Sequence, residues 1–385
     1  MSRTTVAIVG IGFSEFARTL DDTGADLAVA ACRGALDDAG IEPSSVDGIS
    51  TYIGAYEHAP LADVIPRVGL GPNLALESDV MALAPAAVTA VVDAVNAVKR
   101  GQCHTVLVYK ANKWTRGKPP GPPTDRPRIG GPQQFELPYG NTMTAQTLAI
   151  WAMRHFHEFG TRHEHLGAIA VTNRRHAGRN PRAVLREPLT LEDYFRSPWV
   201  SEPFRRLDCD FPIDGAGALV VTTVERARDL RRKPVYVLAG NYREATWDEW
   251  EMWPDLTAMA SKPVSDALWK VAPLTPRDVD VAGIYDGFSF LELCWLEDAG
   301  FCEKGEGGPF VASGAIDLGG ELPTNTHGGN LSEGRSHGIG HILEVVQQLR
   351  GTCGDRQVAD AHVGFAANGG GPIAGALLLA DDIPS

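Results

Sequence analysis

Apolar runs punctuated by glycine recur along the chain: residues 5–12 (TVAIVGIG), 105–112 (TVLVYKAN), 234–240 (PVYVLAG), 279–288 (VDVAGIYDGF) and 374–380 (AGALLLA). Each has strand length, and helix-like stretches lie between them, so the pattern predicts an α/β protein. The most apolar run, VMALAPAAVTAVV from Val80, is too short for a bilayer, which needs roughly 20 residues, and reads as a buried helix. Residues 115–132 (TRGKPPGPPTDRPRIGGP) break both periodicities. Their prolines lack amide donors and their glycines add backbone entropy, so they read as a loop or lid.

The pattern also repeats. ALDDAGIEPSSVDGI at 35–49 echoes ALWKVAPLTPRDVDVAGI at 267–284: a helix end, a proline turn, then Val-Asp entering a strand. AVVDAVNAVKRG at 90–101, followed by TVLVYKAN, is echoed by ILEVVQQLRG at 342–351, followed by HVGFAANGG. Two echoes in one order predict duplicated halves. The expected division is 1–233, with a loop or lid region at about 112–200, and 234–385. The starts of the two matching helices, near Ala84 and near Arg335, then face each other across the pseudo-dyad.

Composition narrows the functions. The 385 residues are 44% apolar and 22% charged, ordinary for a globular chain that can bury a site. A net charge of -13 argues against nucleic acid or an anionic membrane as partner. Six cysteines are scattered with no CxxC pair, which argues against a disulfide framework and a cysteine-ligated zinc site. With no signal-peptide pattern before the first strand, a cytoplasmic protein is expected.

The titratable chemistry gathers in NTHGGNLSEGRSHGIGH, residues 325–341, where five glycines and three histidines feed into a helix. His337 and His341 have i, i+4 spacing, but no HExxH glutamate lies between them and no third ligand is evident, so no metal is expected. Tyr285 and Asp286 end the run VDVAGIY. Tyr285 is either a packed aromatic or a reactive phenol, and Asp286 either a turn former or a partner of an imidazole. Arg335 is either a reactive cation or a structural partner of Glu333 or Glu344.

Five motifs carry a resemblance: PIDGAGALVVT (212–222), YDGFSFLELCWLEDAGFCEKGEGG (285–308), NTHGGNLSEGRSHG (325–338), EVVQQLRG (344–351) and NGGG (368–371). In this order they make nearly the whole chain resemble the thiolase superfamily. Within it, the chain resembles the thiolase domain of sterol carrier protein x and the bacterial lipid-transfer-protein branch. The resemblance implies a thiolase fold, two duplicated halves with buried helices between mixed five-stranded sheets. It puts the nucleophilic cysteine at Ala84, the second cysteine at Ala367 and the Gly-His-Pro histidine at Arg335, with His337 two residues on. All three usual groups have changed, so covalent acyl transfer is not expected.

The thiolase-like branch without these cysteines includes retro-aldolases of β-hydroxyacyl-CoA thioesters in steroid side-chain degradation. They are similar to this chain at YDGF, at NTHGG and at LPYG (137–140) with the long helix after it. The resemblance implies a tyrosine acid/base at Tyr285, and it puts a second tyrosine where Arg335 stands here. It further implies a homodimer, a small acyl-CoA-binding partner subunit with a zinc ribbon and an OB-like fold, and no cofactor beyond the coenzyme A thioester.

Breaking the Cα–Cβ bond requires a base for the hydroxyl proton and donors for the enolate oxygen. Tyr285, with a phenol pKa of about 10, becomes a base only beside a cation, which Arg335 supplies; alternatively Asp286 orients His327 or His337 as the base. Gly328, Gly329 and Gly370 bring backbone amides to the thioester, with His327 as a further donor. In NRRHAGRNPR (173–182), Arg174, Arg175, Arg179 and Arg182 are the candidates for the phosphates of coenzyme A. The alternatives are a divergent acyltransferase and a non-catalytic subunit of an acyl-CoA enzyme.

Overall fold

In the computed structural model, residues 6–53, 59–81, 85–114, 132–245, 249–272 and 274–383 are described. The proline-glycine stretch at 115–131 and Ala84 lie outside them.

The first half carries β1 (Val6–Phe13), α1 (Gly24–Ala39), β2 (Gly48–Ile53), β3 (Leu76–Met81), α2 (Ala86–Lys99) and β4 (Thr105–Asn112). Two long helices, α3 (Thr144–Phe159) and α4 (His163–Ala177), precede β5 (Gly215–Thr223). The second half repeats the series as β6 (Val235–Arg243), α5 (Ser261–Val271), β7 (Val281–Gly283), α6 (Ser289–Asp298), α7 (Gly329–Ser332), α8 (Ile339–Leu349), β8 (Val363–Gly370) and β9 (Ile373–Ala380). Both proline turns become single 3-10 turns, Pro43–Ser45 and Pro276–Asp278. The region expected as loop or lid, about 112–200, carries α3 and α4, which bury Leu148, Trp151, Leu166 and Ile169 in the core.

The first sheet runs β3-β2-β4-β5-β1, with β2 parallel to β3 and β4, and β5 antiparallel to β4 and β1. The second runs β6-β9-β8-β7 with the same sense at each step. Its fifth member is reduced to one parallel bridge, Ala282 to Thr324. The chain cannot extend that pairing, because Asn325 turns into the left-handed region at φ 46°. The sheets meet edge to edge through antiparallel β1 and β6, with Ala7 opposite Tyr236.

Side chains alternate across each strand, so each sheet feeds two helix layers. On β5, Ala216, Ala218 and Val220 face α1, whereas Leu219 and Val221 face the layer that holds α2 and α8. On β9, Leu377 and Leu379 face that same layer, and Ala374, Ala376 and Leu378 face α5 and α6. Thus α2 and α8 are buried between the two sheets. Close contact between α1 and β1 requires Gly10: a Cβ there would stand 2.1 Å from the Ala35 carbonyl oxygen.

Candidate active site

Three segments converge at the C-terminal end of β7. The loop 285–288 leaves that strand, and the segment 209–212 crosses it through a Cys209–Phe288 bridge and an Asp210 amide that donates to the Gly287 carbonyl (3.1 Å). The same segment then pairs with the glycine-rich stretch: Pro212 bridges Arg335, and the Arg335 amide donates to the Phe211 carbonyl (3.0 Å). Asp210 is thereby threaded between Tyr285 and Arg335.

All three line one cavity of about 210 Å³, closed by Leu148, Trp250, Phe288, Leu291 and the backbone of Gly369 and Gly370. The Trp250 indole lies 6.1 Å from Trp151, which stacks on Trp253 at 6.5 Å. Arg335 Nε stands 3.4 Å from Asp210 Oδ2, and its guanidinium lies 5.4 Å from the Trp114 ring. Burial raises the Asp210 carboxyl to about 6, against the pull of Arg335 and with the help of the Asp286 charge. Asp210 is thus an ionic partner of Arg335. Glu333 pairs with Arg182 and Glu344 with Arg356.

Asp286 is fully buried and holds the site's frame. It accepts from Asn173 Nδ2 (3.0 Å), the Asn330 amide (2.7 Å) and the Leu331 amide (3.2 Å), and contacts His341 Nε2 at 2.9 Å. It orients His341, where the sequence pattern pointed to His327 or His337. The His341 ring sits 5.9 Å from Tyr285 and 5.0 Å from His327, so the three rings form a column behind the cavity. Burial, then the neighbouring His341 and Arg182, push His327 well below the usual imidazole value, which makes it a neutral ring. His337 is likewise lowered by burial, Arg335 and Lys110, and its carbonyl accepts from the Tyr52 hydroxyl (2.9 Å).

The glycines have a packing reason. The Gly328 amide donates to the Asn325 carbonyl (2.7 Å), and a Cβ on Gly329, at φ 60°, would stand 2.0 Å from Asp286 Oδ2. Gly370 borders the cavity. The four arginines of 173–182 are not one open patch. Arg174 is buried and donates to the Ser332 hydroxyl (2.9 Å), Arg175 pairs with Asp317, and Arg182 stacks 3.7 Å over Phe13 while holding Glu333. Arg179 is exposed just beyond α4. Ala367 is buried on β8, so no thiol stands at the position of the superfamily's second cysteine. Among the described residues no group of three or more His, Cys, Asp or Glu side chains is arranged to hold a metal ion.

Sequence reasoning missed Asp210, His341 and Trp250 as site residues. Asp210 stands two positions before the quoted motif at 212–222, and His341 was weighed only as a metal ligand; nothing local marks Trp250.

Comparisons with known proteins come from both halves of the chain. The thiolase C-terminal domain-like family matches residues 244–379. The chain is 37% identical to the 17-hydroxy-3-oxo-4-pregnene-20-carboxyl-CoA lyase of Mycobacterium tuberculosis, over 97% of this chain and 98% of that one. It is 36% identical to the steroid side-chain-cleaving aldolase of Thermomonospora curvata, with the same coverage. The solved structure of an Ltp2-ChsH2(DUF35) aldolase superposes with a TM-score of 0.90 at 35% identity, covering 99% of both chains.

Proposed function

The chain belongs to the thiolase superfamily, among its thiolase-like aldolases, and from that premise we propose that it cleaves the Cα–Cβ bond of a β-hydroxyacyl-CoA. The acyl group carries a steroid or other bulky side chain, and the products are a carbonyl compound and a short acyl-CoA. One observation carries this reading: a single cavity holds a phenol, a carboxylate and a guanidinium, Tyr285, Asp210 and Arg335, and no cysteine is among its described lining residues. That set moves protons and stabilises charge without forming an acyl-enzyme.

Tyr285 is the acid/base group at the reacting carbons, and Arg335 stabilises negative charge as the thioester becomes an enolate. The Gly370 backbone lies against the substrate. Asp286 and His341 hold Tyr285 in place, with His327 as the outer ring of the column. Coenzyme A phosphates meet Arg179 and Arg175, the exposed members of their cluster.

The protein works as a homodimer with a small acyl-CoA-binding subunit. The Ltp2-ChsH2(DUF35) aldolase is named as a two-component assembly, and β3 ends the described sheet as an edge strand able to pair with a second copy. No described helix is long and apolar enough to cross a membrane.

A second reading has one observation behind it: 32% identity to the acetyl-CoA acetyltransferase of Methanothermobacter thermautotrophicus over 95% of this chain. Mass spectrometry after incubation with acyl-CoA separates the two, since an acyl-enzyme gains mass. The main test follows carbonyl release from a β-hydroxyacyl-CoA with a steroid side chain. Tyr285→Phe is expected to lower kcat by about 10² and to leave ester binding nearly unchanged. Arg335→Lys keeps the charge but loses the planar fork, and is expected to fall between the two. Turnover by Tyr285→Phe at the wild-type rate makes the tyrosine a packing residue.

A further inference from the structure

We propose that Asp210 is the base that takes the β-hydroxyl proton in this cleavage, and that Tyr285 is its complementary acid; this rests on the aldolase reading. The placement is specific. Asp210 is fixed by its amide to the Gly287 carbonyl, two residues beyond Tyr285, and by the bridge its segment makes to Arg335. Its carboxylate faces the cavity, with 15% of the side chain exposed.

The two aspartates nearest the cavity differ in what binds them. Asp286 accepts from three donors, contacts His341 Nε2 and is fully buried, so its oxygens are committed to the frame. Asp210 meets Arg335 at 3.4 Å, longer than the roughly 2.7–2.9 Å of a charge-assisted bond. A contact that long holds the carboxylate without consuming it. Among the described residues, Arg335 and Asp286 act on Asp210 by charge, Tyr285 lines the same cavity, and the adjacent Cys209 thiol is raised by burial and by the charges of Asp208 and Asp210; Asp208, two residues back, is buried and taken by Tyr194 and Ser289. Burial, opposed by the Arg335 charge and reinforced by that of Asp286, raises the Asp210 carboxyl to about 6. Tyr285 lines the same cavity and brings the phenolic O–H that the step needs as its proton donor.

The step balances with these two groups. Asp210 takes the proton of the β-hydroxyl, whose O–H pair becomes the second bond of the new carbonyl. The Cα–Cβ pair moves to Cα and is held as the thioester enolate beside Arg335. Tyr285 gives its phenolic proton to Cα, and the Asp210 carboxylic acid returns a proton to the tyrosinate. One carbonyl compound and one acyl-CoA leave, and both side chains are restored.

The test is the pH profile of kcat/KM for carbonyl release, using the full chain with whatever subunit co-purifies with it. Wild type is expected to lose activity on the acid side with an apparent pKa near 6. Asp210→Asn is expected to lower kcat by about 10²–10³, to leave KM within about threefold and to abolish that acid limb. Asp210→Glu restores the limb at reduced kcat, and circular dichroism with short acyl-CoA binding checks that both variants fold. Cleavage by a folded Asp210→Asn at near the wild-type rate, with the acid limb unchanged, overturns the assignment and leaves the aldolase reading standing. If Asp210→Asn does not fold, an Asp210→Glu variant with wild-type kcat overturns it. No carbonyl release by wild type overturns the aldolase reading and the base with it.

Discussion

Glu292 lies wholly inside the protein on α6. Its oxygens accept from Thr324 Oγ1 (2.6 Å), Asn173 Nδ2 (2.9 Å) and Asn325 Nδ2 (3.0 Å). Burial, reinforced by the Asp286 charge, pushes its carboxyl up to about 8. Glu344 is buried as deeply, but there the burial penalty is outweighed by the charge and hydrogen bonds of Arg356 together with Arg182 and Thr326, which hold the carboxyl below its usual value. Folded Glu292 thus keeps a proton that an unfolded glutamate releases near 4.5. Between those values the folded state binds more protons, so this group's contribution to stability falls as pH rises from about 4.5 through 8. Thermal melts of wild type between pH 6 and 9 are expected to decline, and Glu292→Gln, which mimics the protonated form, is expected to flatten that decline. At this scale the sequence revealed chemistry better than partners. Tyr285 and Arg335 stood out by position, and they line one cavity. The partner of Asp286 and the very presence of Asp210 depend on a chain crossing that no local spacing records.

The elements around the site are short and held from outside. Helix α7 has only four residues, too few to be stable alone. It survives because Asp286 accepts from two of its amides, at Asn330 and Leu331. Gly329 makes that possible, since any side chain there would occupy the Asp286 carboxylate. Gly329→Ala is expected to cost about 2–4 kcal/mol by combining a strained φ with a displaced buried carboxylate, and to reduce turnover with it. Denaturant melts paired with the cleavage assay check this. Both sequence echoes correspond to matched elements, α1 with α5, α2 with α8, and β4 with β8. Their periodicity is set by burial, which is written locally. The fifth strand of the second sheet was not legible as reduced, because its loss follows from a backbone turn at Asn325 rather than from composition.

As a whole the molecule is layered helix, sheet, helix, sheet, helix, with Tyr285, Asp210 and Arg335 where the second sheet's strand ends meet the segment 209–212. The apolar periodicity announced the layers; the wall of the cavity came from outside that pattern. Trp250 belongs to that wall, and together with Trp151 and Trp253 it forms a cluster of three indoles among the eight tryptophans of the chain. An acyl group entering the cavity replaces water on one face of this cluster, so the protein carries its own optical reporter of occupancy. Adding a short acyl-CoA is expected to shift or quench the intrinsic emission, and Trp250→Phe is expected to remove most of that change; an unaltered response would trace the signal to another indole. The light reports filling rather than turnover, so arrival of substrate and breaking of its bond can be timed separately on one unlabelled chain.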